Sequence, residues 1–186
     1  MIIDSHAHIY PDKIAHKAAR SIGDFYDIDM DLDGTVDMLL KVGDEAGVDK
    51  FLVHSVATTP HQVRSINSFI AKSVSEHPDR FIGFATLHPD CGDEIPEIVD
   101  EAISLGLDGI KLHPDFQKFD IDSPEAMRMY EVLEGRLPIL FHTGDYRTQY
   151  SKPTKIIKVL ERFPKLDIIA AHFGALPTLI VNNAAR

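Results

Sequence analysis

Residues 2–13 read IIDSHAHIYPDK, two histidines one alanine apart behind two isoleucines and an aspartate. In a β-strand successive side chains point to opposite faces, so Ile2, Asp4, His6 and His8 would share one face while Ile3, Ser5 and Ala7 take the other. Two imidazoles would then converge at the end of a strand, and neutral imidazole is a common ligand of divalent cations. An exposed polar strand end would read the same way in isolation. The choice depends on whether the pattern returns.

It does return. Apolar, β-rich runs stand at KFLVHSVA (50–57), RFIGFATLHP (80–89), DGIKLHPD (108–115), PILFHTGD (138–145) and LDIIAAHFGA (166–175), each with the composition of a buried parallel strand. Between them lie segments of helical spacing at 34–48, 61–77, 93–106, 123–135 and 153–163. Their punctuation agrees: Ser123 before Pro124 is an N-cap with proline at the first helical position, and Gly47, Gly106 and Gly135 stand where helices should stop. From the second strand onward the spacing is about thirty residues, the length of one strand-helix unit. The excess in the first interval, YPDKIAHKAARSIGDFYDIDMDLDG (10–34), reads as an extended loop over the strand ends, suited to a lid or substrate-facing segment. Without the glycine-rich turn of a dinucleotide site, this alternation predicts a (β/α)8 TIM-barrel type of α/β fold, of which about six βα units are present.

Composition limits the function. The chain has 186 residues, 44% of them hydrophobic, enough for a single domain over residues 1–186. With 19 basic against 29 acidic residues the net charge is -10, so no nucleic-acid partner and no anionic membrane surface is expected. One cysteine, Cys91, makes no internal disulfide, no apolar run is long enough to span a bilayer, and the N-terminus lacks a secretory leader; these features point to a cytoplasmic protein.

The 10 histidines are distributed unevenly. His6, His8, His54, His88, His113, His142 and His172 all fall near the C-terminal end of a predicted strand, the end that carries the active site in a (β/α) barrel. By parity Lys111 shares a face with His113, Leu140 with His142, and Ala170 with His172, leaving space at the barrel axis beneath His172. His16, His61 and His77 fall in loop or helix contexts, where exposure is the default.

Taken together, DSHAH on strand one, FHTGD on strand five and AAHFG on strand six, supported by GIKLHP on strand four, resemble the amidohydrolase superfamily of metal-dependent barrel enzymes. The similarity is to the branch that includes aminocarboxymuconate-semialdehyde decarboxylase. The resemblance implies that His6, His8 and His142 ligate one divalent cation, zinc by preference, and that His172 moves protons or contacts substrate. Lys111 and His113 are the candidate substrate contacts. Bridging of two metals by a carboxylated Lys111 is an alternative, as is a plain hydrogen-bonding role for a histidine before proline. His54 and His88 fit better as packing or supporting residues, and Asp4 could orient a ligand or merely complete its strand.

The expected reaction is attack of a cation-activated water on a small-molecule substrate. Non-oxidative decarboxylation is the rival within the fold, with Lys111 or Arg147 facing an acidic substrate. A barrel retained as a binding or assembly module is the alternative outside enzymology. A full barrel has eight strands in roughly 250 residues, and the resemblance implies an aspartate on the eighth that has no counterpart here. The expectation is therefore a barrel domain incomplete at its C-terminus. Six strands would leave two open edges, so the chain is expected to be a truncated version of a longer protein, the alternatives being an aberrant terminal segment in place of the usual sequence or completion by another chain, as in a homo-oligomer.

Overall fold

The computed structural model describes residues 1–174. The closing stretch 176–186, LPTLIVNNAAR, on which the expectation of a missing C-terminal portion rests, lies outside the described residues.

Six strands, β1 (Ile3–His8), β2 (Lys50–His54), β3 (Phe81–Thr86), β4 (Gly109–Leu112), β5 (Ile139–Phe141) and β6 (Ile168–Ala170), form one sheet in sequential order. All five pairings are parallel. Seven α-helices accompany them among the described residues: α1 (Asp12–Tyr26), α2 (Val36–Ala46), α3 (Val63–Glu76), α4 (Ile95–Ser104), the single turn α5 (Pro114–Gln117), α6 (Pro124–Leu133) and α7 (Pro153–Arg162). The six parallel strands form a curled half-barrel, the barrel type of fold that the sequence pattern predicts.

The capping residues act as read. The Ser123 hydroxyl accepts the Ala126 amide at 3.2 Å, and Thr35 caps α2 by accepting from Met38 at 3.3 Å. Gly47 closes α2 at φ 70°, a left-handed conformation that a residue with a Cβ adopts only at a cost.

The sheet separates two layers of side chains. On the helix side Phe51, Val53, Ile110, Leu112, Ile139 and Phe141 join one continuous core with the helices. On the inner side Phe84, Leu140 and Ala171 form a small cluster, with Leu52 and Ile82 partly buried against it. Gly109 allows this inner layer to close, because a Cβ there would lie 2.5 Å from the Phe84 ring.

Three expectations change. The interval 10–34 is not an extended loop throughout, since residues 12–26 form α1. Its buried positions are Ala15, Ala19 and Gly23, spaced by four but too small to register as an apolar stripe. Gly23 sits so close to the following chain that a Cβ would lie 2.6 Å from the Ile28 carbonyl oxygen. Strand β1 also fails to alternate strictly: its register against β2 shifts between Asp4 and Ala7, a bulge that breaks the single face expected for Asp4, His6 and His8. Finally, Ala170 packs on the helix-side core and Ala171 on the inner cluster, so Ala171 takes the position expected of Ala170.

Candidate functional site

The strand ends place their histidines in one connected cluster. His8 and His54 face each other across β1 and β2, a directly paired position, with ring centroids 4.3 Å apart and nearly perpendicular. His6 lies 4.9 Å from His54 and 5.2 Å from His172, reaching across the mouth. His172 Nε2 is 3.1 Å from His142 Nδ1, and His142 stacks on His113 at 3.8 Å with the planes 7° apart. Five βα units thus contribute to one site.

Local backbone features aim these rings. The Asp4 carboxylate accepts the His6 amide at 3.0 Å within the bulge, so Asp4 orients the His6 backbone rather than its ring. His172 adopts φ 58°, in the left-handed region that a histidine enters only at a cost, and there the chain leaves strand alternation. Thr143 Oγ1 donates to the Ala171 carbonyl at 2.6 Å, tying the ends of β5 and β6 together beneath the His142–His172 pair. Gln117 accepts the His113 amide at 2.8 Å and donates to the carbonyls of Leu87 at 2.7 Å and Ala57 at 2.9 Å. One buried amide side chain therefore fixes the starts of three loops.

The rings are held neutral. Burial, followed by the field of the Lys111 cation, pushes the His6 and His142 pKa values down to about 3 and that of His8 well below its ordinary value. Burial does the same to His54 and, with the neighbouring His142, to His113. Desolvation disfavours the imidazolium, so each ring keeps a lone pair available near neutral pH. Lys111 is itself fully buried, with Nζ 3.3 Å from His6 Nε2, and burial pushes its pKa down to about 7.

This donor set fits a divalent cation. Ligand atoms of His6, His8 and His54 lie within 4.8 Å of one another, as do those of His113, Asp115 and His142. Both ring nitrogens of His54 are buried without a hydrogen-bond partner, a costly arrangement that a bound cation could relieve on one side. His54 is the residue the sequence reading undervalued; its place opposite His8 in the register is invisible until β1 and β2 are paired. His88, by contrast, caps the turn after β3 by accepting the Asp90 amide at 3.2 Å, in keeping with a packing role. His16 and His61 are exposed and His77 is half-buried near Phe81.

Residues 10–34 supply a side chain that the sequence reading missed. Tyr26, at the end of α1, places its hydroxyl 2.9 Å from His113 Nε2 and 3.2 Å from His142 Nε2. It lies beside Phe25 and Phe116, and Phe116 stacks on the outer face of His113 at 3.9 Å. Arg147 is committed to holding this wall. Its guanidinium binds both Asp145 oxygens, donates to the Phe25 carbonyl, and lies 4.5 Å from the Phe25 ring centroid and 4.8 Å from that of Tyr26. The cluster opens into a cavity of about 810 Å³. Among the described residues no helix is long and apolar enough to cross a membrane.

Known proteins share this arrangement of chain. The 2-amino-3-carboxymuconate-6-semialdehyde decarboxylase of Dictyostelium discoideum is 34% identical over 70 residues, 37% of this chain but only 20% of that relative's length. The 5-carboxyvanillate decarboxylase of Sphingomonas paucimobilis superposes on 99% of this chain and 73% of its own, with a TM-score of 0.71 at 19% identity. The corresponding enzyme of Novosphingobium aromaticivorans, solved with bound manganese and 3-methoxy-4-hydroxy-5-nitrobenzoic acid, gives a TM-score of 0.71 at 16% identity over 98% of this chain and 69% of its own. These two structural likenesses establish the barrel fold. Residues 3–183 match the amidohydrolase family along almost the whole chain, and the protein belongs to that family.

Proposed function

We propose that the chain forms the metal-binding part of a decarboxylase that removes carbon dioxide from a small aromatic or enol-type carboxylate. The observation that carries this reading is the aromatic wall of the cavity beside the imidazole cluster: Phe116, His113 and His142 form one closed parallel stack, and Tyr26 lies against it on the same cavity. A flat, conjugated acid matches such walls. The decarboxylase relatives support it. Hydrolysis, the first expectation from the sequence, becomes the second reading, favoured by the hydrogen-bonded His142–His172 pair, which could equally serve to move a proton from water.

His6 and His8 would hold the cation together with His54, the three whose ligand atoms lie within 4.8 Å of one another; His142, the third ligand that the family resemblance implies, groups instead with His113 and Asp115. When bound, the cation supplies electrophilic polarisation of a substrate oxygen. Zinc suits imidazole donors, and manganese is the ion in the Novosphingobium relative. The chain's own residues do the rest. Decarboxylation breaks the carbon–carboxylate bond and leaves its electron pair on the substrate carbon, which must take up a proton as carbon dioxide departs. His172 stands at the mouth and shares a proton with His142 through Nε2 and Nδ1, so it can deliver one there. Lys111, buried at Nζ beneath His6, places a cationic or neutral amine below the cluster. His113, fixed by the Phe116 amide on Nδ1 and by Tyr26 on Nε2 and covered on its two faces by Phe116 and His142, would meet the substrate along its edge and hold His142 in place.

The test begins with metal. The dialysed chain should retain close to one cation, lost in a His6→Ala/His8→Ala double variant, as read by elemental mass spectrometry. Manganese- and zinc-loaded protein is then assayed for carbon dioxide release from 5-carboxyvanillate and 2-hydroxybenzoate, beside hydrolysis of an ester, a lactone and an amide. Carbon dioxide release abolished by the double variant supports the proposal. Hydrolysis without any carbon dioxide release overturns it in favour of the second reading.

A further inference from the structure

Two cavities flank α1, and both reach His8. The smaller, about 590 Å³, sets Lys17, Lys118 and Gln62 among apolar side chains such as Ile14, Ile66 and Phe69, and does not reach His6 or His142. The larger, about 810 Å³, begins at His6, His8 and His142 and runs between α1 and α2 along Ile22, Ile28, Met30, Leu32, Met38 and Leu39. A single-ring carboxylate held at the histidines would leave most of that volume as water against hydrocarbon, an unfavourable arrangement.

The segment that roofs this channel, residues 27–33, reads DIDMDLD, acid and hydrocarbon in strict alternation. Ile28, Met30 and Leu32 line the cavity although they are 56%, 42% and 46% exposed, while Asp27, Asp29 and Asp31 are exposed and do not line it. Asp33, the one carboxylate of the four on the cavity wall, is already engaged by the amide and hydroxyl of Thr35. The roof is held down by the packing of Met30 against Gly23, where a Cβ would come within 3.1 Å of Met30 Cγ. Apolar side chains turned into a site and carboxylates turned outward suit a ligand that is uncharged and apolar along this stretch; an anionic substituent would meet the field of the acidic rim.

We propose that the substrate is amphipathic: a polar, metal-binding head at the histidines and an apolar tail lying in the channel between α1 and α2. The proposal rests on the metal-centred reading of the head site and adds the substrate class.

The experiment uses alkyl hydroxamic acids, whose head binds metals irrespective of the reaction catalysed. Acetohydroxamate, butanohydroxamate, hexanohydroxamate and octanohydroxamate are titrated by calorimetry into the manganese-loaded chain. The expected result is a dissociation constant falling about two- to fourfold for each added methylene, the scale set by burying a CH₂ group. Leu32→Asp and Met38→Asp should flatten the series. Ile157→Asp, at an exposed apolar position on α7 away from the channel, should leave its slope intact. Acetohydroxamate binding with no gain along the series overturns the tail while the head reading stands. A gain that survives Leu32→Asp and Met38→Asp puts the tail elsewhere and also overturns it. Failure of acetohydroxamate to bind removes the head reading, and the tail proposal falls with it.

Discussion

The two faces of the same sheet are built on opposite principles. The helix-side face is packed from β1 to β6 into one apolar core, in which Tyr130, Ile110, Leu112 and Phe141 are fully buried. Among the described residues the inner face holds only Phe84, Leu140 and Ala171 as its buried apolar cluster, and at its upper end the histidines and the buried Lys111 amine. Stability therefore resides mainly in the outer layer, while the inner layer spends burial on groups that desolvation disfavours. Neutral imidazoles and a buried amine are poor choices for packing alone and useful ones for binding a cation or an acid.

Neighbouring residues on β5 provide the largest test of this contrast. Phe141 points to the helices and Leu140 inward, so their truncations probe the two layers from adjacent positions. Phe141→Ala should cost about 3–5 kcal/mol and Leu140→Ala only about 2–3 kcal/mol, the low part of the range for a site that can relax. Equal losses in urea unfolding would remove the distinction.

A second comparison adds atoms instead of removing them. A Cβ at Gly83 would meet Val74 at 2.7 Å and Leu107 at 2.8 Å on the packed side; at Gly109 it would meet the Phe84 ring at 2.5 Å on the thin side. Both alanine variants should be destabilised, by roughly 1–3 kcal/mol. We expect Gly83→Ala to lose more, because the inner layer leaves Phe84 room to turn whereas two side chains confine the outer site. The reverse order of melting temperatures would mean that the inner layer is the more rigid.

Lys111→Met replaces the buried amine with a side chain of similar length. It should raise stability by about 1–2 kcal/mol, since no desolvated cation must be accommodated, and it should impair turnover of any acidic substrate. A Lys111→Met protein that is less stable than the parent would show the amine to be structurally satisfied.

The smallest effect concerns the mouth. Hydrogen bonds and charge from Arg147 hold the Asp145 carboxyl below its ordinary range. A lowered carboxyl pKa favours the folded state above the ordinary value of about 4, and the contribution is lost as pH falls through the lower folded value. Acidification should therefore loosen the Arg147 contact with Phe25 and lower stability. Asp145→Asn should show a flatter stability profile over that acidic range, by chemical denaturation at stepped pH.

Much of this contrast was legible before the fold was known. Runs such as RFIGFATL and PILF are apolar on both sides, as strands covered on both faces must be, and the helices between them carry stripes with cap residues at their ends. Helix α1 was not legible because Ala15, Ala19 and Gly23 mark its buried side by the absence of bulk rather than by hydrophobicity. Tyr26 was hidden with it, since only a helix of that length carries its hydroxyl to His113 and His142.

The sequence by itself determined the train of βα units and the presence of histidines at the active end of the barrel, because both follow from local periodicity. Tertiary structure decided which imidazoles meet. The bulge in β1 breaks its face pattern, the pairing of β1 with β2 sets His54 opposite His8, and the left-handed turn at His172 brings it to His142. Such choices turn on a one-residue shift of register or a single dihedral angle. Packing across the sheet sets them, and no composition or spacing along the chain records them.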